Sequence, residues 1–294
     1  MDKTQTFDLP DCLCCHSSRY QLFTRKNSHT LFRCETCGFI RVHPIPKNID
    51  ALYESDYFAG ASAGHGYVNY QQDKEPMRAT YVTYLSHIEA LKPGKGKLLD
   101  VGAANGFFLT MAEANGWHAE GIEISKYAAQ EAKKNNLSVH LGKIQDVTLM
   151  PAQFDAITLW DSLEHLVDPE GDFKQITSWL KPGGLIALTT PDTKSWVAQV
   201  MRGRWHLILP PEHLHYFNPE NLGRFLKHFQ LKVVTAKKIG KSYTLSYIFR
   251  LIGNAYQMAV SQKCSLWLKD KRLGQLRIPL NLRDNLFLIA QKVS

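Results

Sequence analysis

Short apolar runs alternate with stretches of helical periodicity from residue 97 to residue 190, and this alternation constrains the fold more than any other feature of the chain. The apolar runs predict buried strands at 97–103, 118–124, 137–141, 154–160 and 184–190. The stretches between them predict helices at 107–115, 126–136 and 170–180. Strands that alternate with helices at this spacing are typical of a parallel sheet with helices on both faces. The sequence therefore predicts a doubly wound α/β domain.

The first predicted strand runs into the loop DVGAANG at 100–106, where doubly wound folds bind their cofactors. Its glycines, Gly102 and Gly106, have the spacing G-x-x-x-G, which disfavours the G-x-G-x-x-G loop of a nicotinamide enzyme. An acid, Asp100, precedes the first glycine, and a second acid, Glu123, ends the next strand. A carboxylate at that second position can accept both hydroxyls of a ribose. The pattern predicts a nucleoside-containing cofactor.

The segment LLDVGAANGFF at 98–108 resembles the first motif of the class I S-adenosylmethionine-dependent methyltransferases. GIEIS at 121–125 resembles their second motif, and 154–169, 180–191 and 211–234 resemble their later strands and last helix. The sequence departs from the first motif at Ala104, where a glycine is usual. The resemblance covers about 67–294 and implies a seven-stranded, mostly parallel sheet.

The same resemblance implies how S-adenosylmethionine is held. Gly102 and Gly106 would border its methionine part, Glu123 would hold the ribose, and Ile124 would pack on the adenine. In many relatives an acidic side chain after the third strand accepts a hydrogen bond from the adenine amine. No acid stands at 142–145 here, so Gln145 or backbone groups are the candidates for that role. Relatives with this pattern include quinone-pathway O-methyltransferases and sugar C-methyltransferases that carry a cysteine-rich N-terminal segment.

Cys12, Cys15, Cys34 and Cys37 form two C-x2-C pairs at zinc-ribbon spacing. Gly38 follows the second pair and supplies the conformational freedom that a tight knuckle needs, and His16 holds the matching place after the first. We expect a structural Zn²⁺, because four thiolates leave no coordination position for water or substrate. Cys14 is a spare thiol or an alternative ligand. Two disulfides are the other interpretation, which an intracellular chain disfavours.

Asp161, Glu164 and His165 directly follow the fourth predicted strand, where the substrates of such sheets sit. In a helical turn Asp161 and His165 would share a face, with Glu164 beside them. A capping box, Asp161-x-x-Glu164, is an equally weighted alternative. Downstream, His213 and His215 are predicted to point to one side of an extended chain. A helix is predicted to begin after them, with Asn218 as its cap.

Asp161, Glu164, His165 and His215 resemble the acidic and histidine sets that bind a divalent metal in some RNA-end 2′-O-methyltransferases and some quinone-pathway O-methyltransferases. Methyl transfer needs a nucleophilic acceptor atom, and either a general base or a metal ion can keep that atom deprotonated. The sequence thus leaves three roles open for these catalytic candidates: a base, a second divalent metal site, and packing. At least one of His165 and His215 is expected to be needed for turnover.

Positive charge is concentrated at one end of a chain whose formal net charge is +8. Residues 224–294 contain 14 Lys and Arg against Asp270 and Asp284. This asymmetry predicts an anionic partner, such as a phosphorylated acceptor, nucleic acid or a membrane surface, or else a solvated face. No apolar run is long enough to span a membrane, and the N-terminus lacks a signal-peptide pattern, which predicts a cytoplasmic protein.

Three regions are predicted along the chain: a zinc-ribbon-like module at 1–46, a covering loop and helix at 47–96, and a methyltransferase domain at 97–294. The last region contains an insertion at about 241–277 with the apolar segment TLSYIFRLIGNAYQMAV. This segment could be a lid over an apolar acceptor, a dimer surface, an interfacial helix or a core helix. The leading function is methylation of a small-molecule, lipid-linked or sugar-linked acceptor at oxygen. An RNA methyltransferase and a non-catalytic pseudoenzyme are the alternatives.

Overall fold

The computed structural model describes residues 8–46, 49, 74–256, 258–268 and 271–293. The predicted covering loop at 53–70, and the start of the helix predicted from residue 68, lie outside the described residues. In the described part a helix, α1, spans Arg78–Leu91 and follows a short 3-10 turn at Glu75–Met77.

A seven-stranded sheet forms the centre of the chain. Its strands are β4 (Lys97–Val101), β5 (His118–Glu123), β6 (Ser138–Leu141), β7 (Phe154–Trp160), β8 (Leu180–Pro191), β10 (Leu231–Lys238) and β13 (Asn285–Lys292). They lie in the order β10-β13-β8-β7-β4-β5-β6. The five strands from β8 to β6 pair in parallel, and β13 pairs antiparallel with both β8 and β10. The predicted doubly wound, mostly parallel sheet is confirmed.

Helices cover both faces of this sheet, which separates two hydrophobic cores. Besides α1 they are α2 (Phe107–Ala114), α3 (Lys126–Lys134), α4 (Pro169–Trp179) and α6 (Pro219–Lys227), whereas α5 (Trp196–Met201) packs in a third core. Four helices begin where a side chain accepts from a backbone N–H of the first turn. Ser125 caps α3, Asp168 caps α4, Ser195 caps α5, and Asn218 caps α6 as predicted.

A second, four-stranded antiparallel sheet joins the N-terminal segment to the central domain. Its strands are β1 (Tyr20–Lys26), β2 (His29–Cys34), β3 (Ile40–Val42) and β9 (His215–Tyr216). β9 comes from the chain between α5 and α6, and it pairs with β3 of the cysteine-rich segment. The cysteine-rich segment therefore shares both a sheet and a hydrophobic core with the domain that it precedes.

The insertion between β10 and β13 forms a helical hairpin on a two-stranded stalk. The stalk pairs β11 (Lys241–Thr244) antiparallel with β12 (Arg277–Leu280), and the hairpin consists of α7 (Leu245–Tyr256) and α8 (Ala259–Leu268). Within the described ranges, no helix is both long and apolar enough to cross a membrane.

Candidate active site

The loop after β4 adopts a conformation that its glycines make possible. Gly102 and Gly106 have φ angles of +79° and +81°, in the left-handed region that side chains disfavour. A Cβ at Gly106 would lie 2.2 Å from Leu137 Cδ1, and one at Gly102 would lie 2.6 Å from Ser162 Oγ. The second contact shows that the segment after β7 touches this loop. Ala104 also has a positive φ, +49°, so its methyl group is accommodated at some conformational cost.

Glu123, at the end of β5, joins this loop to the next one. Its Oε2 accepts from the Ala104 backbone N–H at 2.7 Å, and its Oε1 accepts from the Ser125 backbone N–H at 2.7 Å. Burial raises the pKa of Glu123, while these backbone N–H groups oppose the shift. Each carboxylate oxygen has two lone pairs, so both keep one for a further donor. The geometry therefore suits a carboxylate that receives two ligand hydroxyls.

Asp100 lies buried below the loop. The hydroxyl of Thr158 on β7 donates to its Oδ1 at 2.7 Å. Burial, with a smaller contribution from the charge of Glu123, raises the pKa of Asp100 to about 7. In the same loop, Asn105 Oδ1 is buried and has no hydrogen-bond partner among the described residues. A buried acceptor without a partner is costly, which favours a ligand donor at this position.

The two residues predicted to surround an adenine lie in different settings. Ile124 follows Glu123 directly and is half-buried. Gln145 lies after β6, where its Nε2 is 3.4 Å from Asp168 Oδ2 and 3.4 Å from Asp172 Oδ1, at the start of α4. In this arrangement the Gln145 amide contacts α4, and a ligand would have to compete with those carboxylates for it.

Asp161 follows β7 and is the centre of a polar network. Its Oδ2 accepts from Lys241 Nζ at 2.6 Å, and its Oδ1 accepts from the Thr189 hydroxyl at 2.8 Å and from Asn285 Nδ2 at 3.3 Å. Burial alone would raise the pKa of Asp161, but the Lys241 and Lys74 ammonium groups hold it below its usual range. Asp161 is thus an ionised carboxylate paired with a lysine of the insertion.

Glu164, His165 and His213 bring three ligand atoms within 4.8 Å of one another. His165 Nδ1 donates to the Glu212 carbonyl at 2.8 Å, and His213 Nδ1 donates to the Leu207 carbonyl at 2.9 Å. These bonds fix the tautomers and place the proton of each ring on Nδ1, so Nε2 carries the lone pair, as in known metal sites. Glu164 is 1% exposed, and its Oε2 has no hydrogen-bond partner in the described part of the chain.

Burial sets the protonation of this cluster. It lowers the pKa of His165, and it lowers the pKa of His213 to about 3, with His165 as a secondary cause. Burial and the negative charge of Asp161 raise the pKa of Glu164 to about 8. Two neutral imidazoles and a carboxyl group, one of whose oxygens lacks a hydrogen-bond partner among the described residues, are a donor set that suits a divalent cation.

His215 lies outside this cluster. It is buried in β9, where its ring stacks on Phe39 of the cysteine-rich segment at 5.8 Å between centroids. Burial lowers its pKa to about 3. The prediction that His213 and His215 point to one side of an extended chain is wrong, because the structure places His213 beside His165 and His215 against Phe39.

The capping-box interpretation of Asp161 and Glu164 is also wrong. The turn at Leu163–His165 is a single 3-10 turn whose cap position is Ser162, and no side chain caps it. Asp161 has a φ of +52° and directs its carboxylate to Lys241. Neither the Asp161 carboxyl group nor the Glu164 carboxyl group therefore caps a helix.

Three aromatic side chains pack together in the hydrophobic core close to Asp161. Tyr84 of α1 stacks on Trp160 of β7 at 4.7 Å and on Phe287 of β13 at 4.9 Å. The Tyr84 hydroxyl and the Trp160 Nε1 are buried and have no hydrogen-bond partner among the described residues. A buried donor without a partner is costly, which favours a ligand acceptor at these two atoms.

The four knuckle cysteines converge as the spacing predicts. Cys12 and Cys37 have their Sγ atoms 3.5 Å apart, Cys15 and Cys34 have theirs 3.6 Å apart, and all four lie within 4.8 Å. Tetrahedral zinc with Zn–S bonds of about 2.3 Å places sulfur atoms about 3.8 Å apart, so the set fits this ion.

The remaining features of the knuckles agree with this arrangement. All six cysteines of the chain are free thiols, so the disulfide interpretation is wrong. Gly38 and His16 take matching φ angles of +75° and +54°. Cys14 is buried beside Cys12 and Cys37 but does not belong to the set of four.

The sequence does not identify two residues of the proposed acceptor side, Lys241 and Tyr84. Lys241 stands at the start of the predicted insertion, and Tyr84 lies in the predicted helix before the first strand. Neither position carries a local pattern that points to the end of β7. His213 was noted, but its contact with Glu164 and His165 depends on how the segment before β9 folds back.

Comparisons with known proteins agree with this geometry. The sequence model of the methyltransferase domain family matches residues 71–236, more than half of the chain. The chain is 27% identical over 208 residues to the ubiquinone biosynthesis O-methyltransferase of Chromobacterium violaceum, covering 66% of this chain and 88% of that protein. It is 25% identical over 224 residues to the protein of the same name from Thiobacillus denitrificans, covering 69% and 92%.

Solved structures give the same fold. A candidate methyltransferase from Bacillus halodurans superposes with a TM-score of 0.53 at 11% identity, over 74% of this chain and 100% of that one. The YcgJ protein of Bacillus subtilis superposes with a TM-score of 0.50 at 15% identity, over 72% and 99%.

Proposed function

Since this chain belongs to the methyltransferase domain family and is an S-adenosylmethionine-dependent methyltransferase, we propose that it methylates a hydroxyl oxygen of a small aromatic acceptor. The observation that carries the proposal is the position of Glu164, His165 and His213. Glu164 and His165 lie in the turn after β7, close to Ser162, whose hydroxyl borders Gly102 in the cofactor loop, and His213 packs against His165 from the segment before β9. An acceptor hydroxyl at this cluster would therefore lie next to the cofactor.

S-Adenosylmethionine supplies an electrophilic methyl group on a sulfonium. The chain's own residues would hold it in the loop after β4 and along the end of β5. Glu123 would accept the two ribose hydroxyls, and Gly102, Gly106 and buried Asp100 would border the methionine part. Asn105 Oδ1, which lacks a partner among the described residues, supports a ligand donor at the loop. Ile124 would pack on the adenine.

Glu164, His165 and His213 would hold a divalent cation on the acceptor side. The fit rests on three observations: the buried Glu164 Oε2 without a partner among the described residues, the two Nδ1–H groups tied to carbonyls, and the convergence of the three ligand atoms. A cation there would supply Lewis acidity toward a hydroxyl oxygen. This donor set revises the sequence-based set, since it replaces His215 with His213 and leaves Asp161 paired with Lys241.

Other residues would position the acceptor and exclude water. The buried Tyr84 hydroxyl and Trp160 Nε1, which have no hydrogen-bond partner among the described residues, would donate to a polar group of the acceptor. The Asp161–Lys241 ion pair joins the end of β7 to the insertion, so it would fix the insertion's stalk beside the acceptor. Such positioning is worth several kcal/mol in bringing reactants together.

Two features support oxygen as the methylated atom. The relatives named above are called O-methyltransferases of ubiquinone biosynthesis, and a carboxylate–imidazole cluster suits activation of a hydroxyl. None of these relatives is named as an RNA methyltransferase, so they lend the RNA alternative no support. Methylation at carbon is the second candidate, because this chain resembles the sugar C-methyltransferases in carrying a cysteine-rich N-terminal segment.

We further propose that Cys12, Cys15, Cys34 and Cys37 bind one structural Zn²⁺. The sulfur separations fit tetrahedral coordination, and four thiolates close the coordination shell. Metal analysis should find one zinc per chain, and a Cys34→Ala, Cys37→Ala double variant should lose it. A double variant that keeps stoichiometric zinc would contradict this assignment, whereas Cys264→Ala is the matched control that should keep it.

The proposed activity can be tested by measuring S-adenosylhomocysteine release from the purified chain with a panel of catechols and phenols. Turnover should fall with chelator and return with Mg²⁺ or Mn²⁺, in protein whose zinc content is confirmed after treatment. His213→Ala should lower turnover by about 100-fold or more, as expected for loss of an activating group. His118→Ala, at the exposed start of β5, should have no effect. Near-normal turnover in His213→Ala would contradict the proposed site.

A further inference from the structure

Helix α8 of the α7–α8 hairpin buries two serines and Leu268, and it exposes its other large apolar side chains. On α8, Ser261 and Ser265 are buried, and the Ser261 hydroxyl donates to the Phe249 carbonyl of α7 at 2.6 Å. On the opposite face, Val260 is 72% exposed and Trp267 is 62% exposed. A surface helix of a globular protein normally has the reverse arrangement.

The exposed apolar residues extend beyond this one face. Leu266 of α8 is 69% exposed, Leu251 and Ile252 of α7 are exposed, and so are Leu273 and Leu276 after α8. Single exposed apolar side chains need no explanation, but a group of them on one hairpin marks a site of interaction. The expectation of a core helix is therefore not met on this outer face.

Basic side chains surround the apolar ones. Lys263 lies on the outer face of α8, and Lys271 and Arg272 follow its end, with the Lys271 Nζ placed 3.4 Å from the centre of the Trp267 ring. Across 242–283 the sequence contains a single acidic residue, Asp270. Apolar and aromatic side chains bordered by lysine and arginine are the arrangement that suits the boundary between lipid headgroups and acyl chains.

The hairpin is tied directly to the acceptor side. Its stalk begins at Lys241, which is paired with Asp161, and α7 begins at Leu245 immediately after the stalk strand. The outer face of the hairpin is thus a few residues of chain away from the end of β7.

We propose that the outer face of this hairpin, Val260, Leu266 and Trp267 with Lys263, Lys271 and Arg272, docks on the surface of a membrane that contains anionic phospholipids. Charge complementarity favours this occupant over a second copy of the chain. A two-fold dimer would bring the same basic residues of two copies together, whereas anionic headgroups neutralise them. The inference rests on the hairpin alone and does not depend on the proposed acceptor.

Cosedimentation of the purified full-length chain with vesicles tests this docking surface. The chain should bind vesicles of phosphatidylcholine with phosphatidylglycerol, bind phosphatidylcholine alone much more weakly, and dissociate as salt is raised. Trp267→Ala should lower the partition coefficient about tenfold, the scale for one large apolar side chain. Trp196→Ala is the matched control: Trp196 is 64% exposed on α5, away from the hairpin, and its loss should have no effect.

A second set of variants separates charge from apolar contact. Lys263→Gln, Lys271→Gln and Arg272→Gln should each lower binding to the anionic vesicles roughly fivefold, with little change on neutral vesicles. Vesicle binding that is absent, or that Trp267→Ala and the charge variants leave unchanged, would overturn the proposal. So would a dimer in size-exclusion chromatography that Trp267→Ala converts to monomer, since that result assigns the face to a second copy.

Discussion

The cofactor side and the acceptor side of the site are built in different ways. The cofactor side comes from two consecutive strand–loop units, β4 with 102–106 and β5 with Glu123 and Ser125, and its bonds run mainly between a side chain and nearby backbone N–H groups. The acceptor side is assembled from α1, the end of β7, the segment before β9 and the insertion. The proposed cofactor side is formed by residues close together in sequence, whereas the proposed acceptor side is formed by tertiary contacts between distant segments.

The difference explains how each side can vary. We expect the loop after β4 to tolerate few changes, because its glycines set its path and Glu123 is the proposed acceptor for both ribose hydroxyls. An acceptor side that draws on four separate segments can change one segment without disturbing the others. We therefore expect substitutions on the two sides to separate cleanly into losses of cofactor affinity and losses of turnover.

The largest effect is expected from Glu164→Gln. Loss of the carboxylate should lower turnover about 100- to 10,000-fold, the range for removal of a group that activates the acceptor. The affinity for S-adenosylmethionine, measured by calorimetry, should stay close to that of the unchanged chain. A parallel loss of cofactor affinity would show that the two sides are coupled, and it would contradict the expected separation of affinity from turnover.

A smaller effect on the other side is expected from Glu123→Ala. A charge-assisted hydrogen bond contributes roughly 1.5 to 3 kcal/mol, so cofactor affinity should fall at least about tenfold. Glu120→Ala, on the same strand at a half-buried position, is the matched control and should bind normally. Unchanged affinity in Glu123→Ala would mean that the ribose lies elsewhere.

The smallest effect is a gain of stability in Asp100→Asn without cofactor. Burial raises the pKa of Asp100 to about 7, above its value of about 3.9 in an unfolded chain, so its ionisation opposes folding. The cost is absent below about pH 4 and grows as pH rises toward 7. Asp100→Asn should therefore raise the free energy of unfolding by on the order of 1 kcal/mol at neutral pH and by almost nothing at pH 4.

Thermal unfolding at the two pH values measures this difference. A gain of equal size at both would show that ionisation of Asp100 is not its cause. Asp146→Asn, at an exposed position after β6, is the matched control for the effect of the substitution itself.

The sequence was sufficient for the parts of the chain where structure is local. Alternating strands and helices, the glycine loop and the cysteine knuckles each carry their own pattern, and the structure confirms the sheet and brings the four thiolates together. It also confirms Asn218 as a helix cap. In these places backbone conformation and neighbouring residues decide the outcome, so a short pattern contains the information.

The acceptor side could be predicted only in part, because long-range contacts decide it. Asp161-x-x-Glu164 fits a capping box as well as a site, and only the Lys241 ion pair, 80 residues away, separates the two. His213 and His215 differ by two positions, yet the pairing of β9 with β3 places His215 on Phe39. The sequence around His213 and His215 contains no pattern that predicts pairing with a strand of the N-terminal module.

Binding of Mn²⁺ to the zinc-loaded chain, followed by electron paramagnetic resonance, tests the central claim that Glu164, His165 and His213 form a metal site on the acceptor side. We predict one bound Mn²⁺ per chain, lost in Glu164→Gln and in His213→Ala, and retained in His118→Ala. Mn²⁺ binding that survives both substitutions, or no binding in the unchanged chain, would contradict the claim.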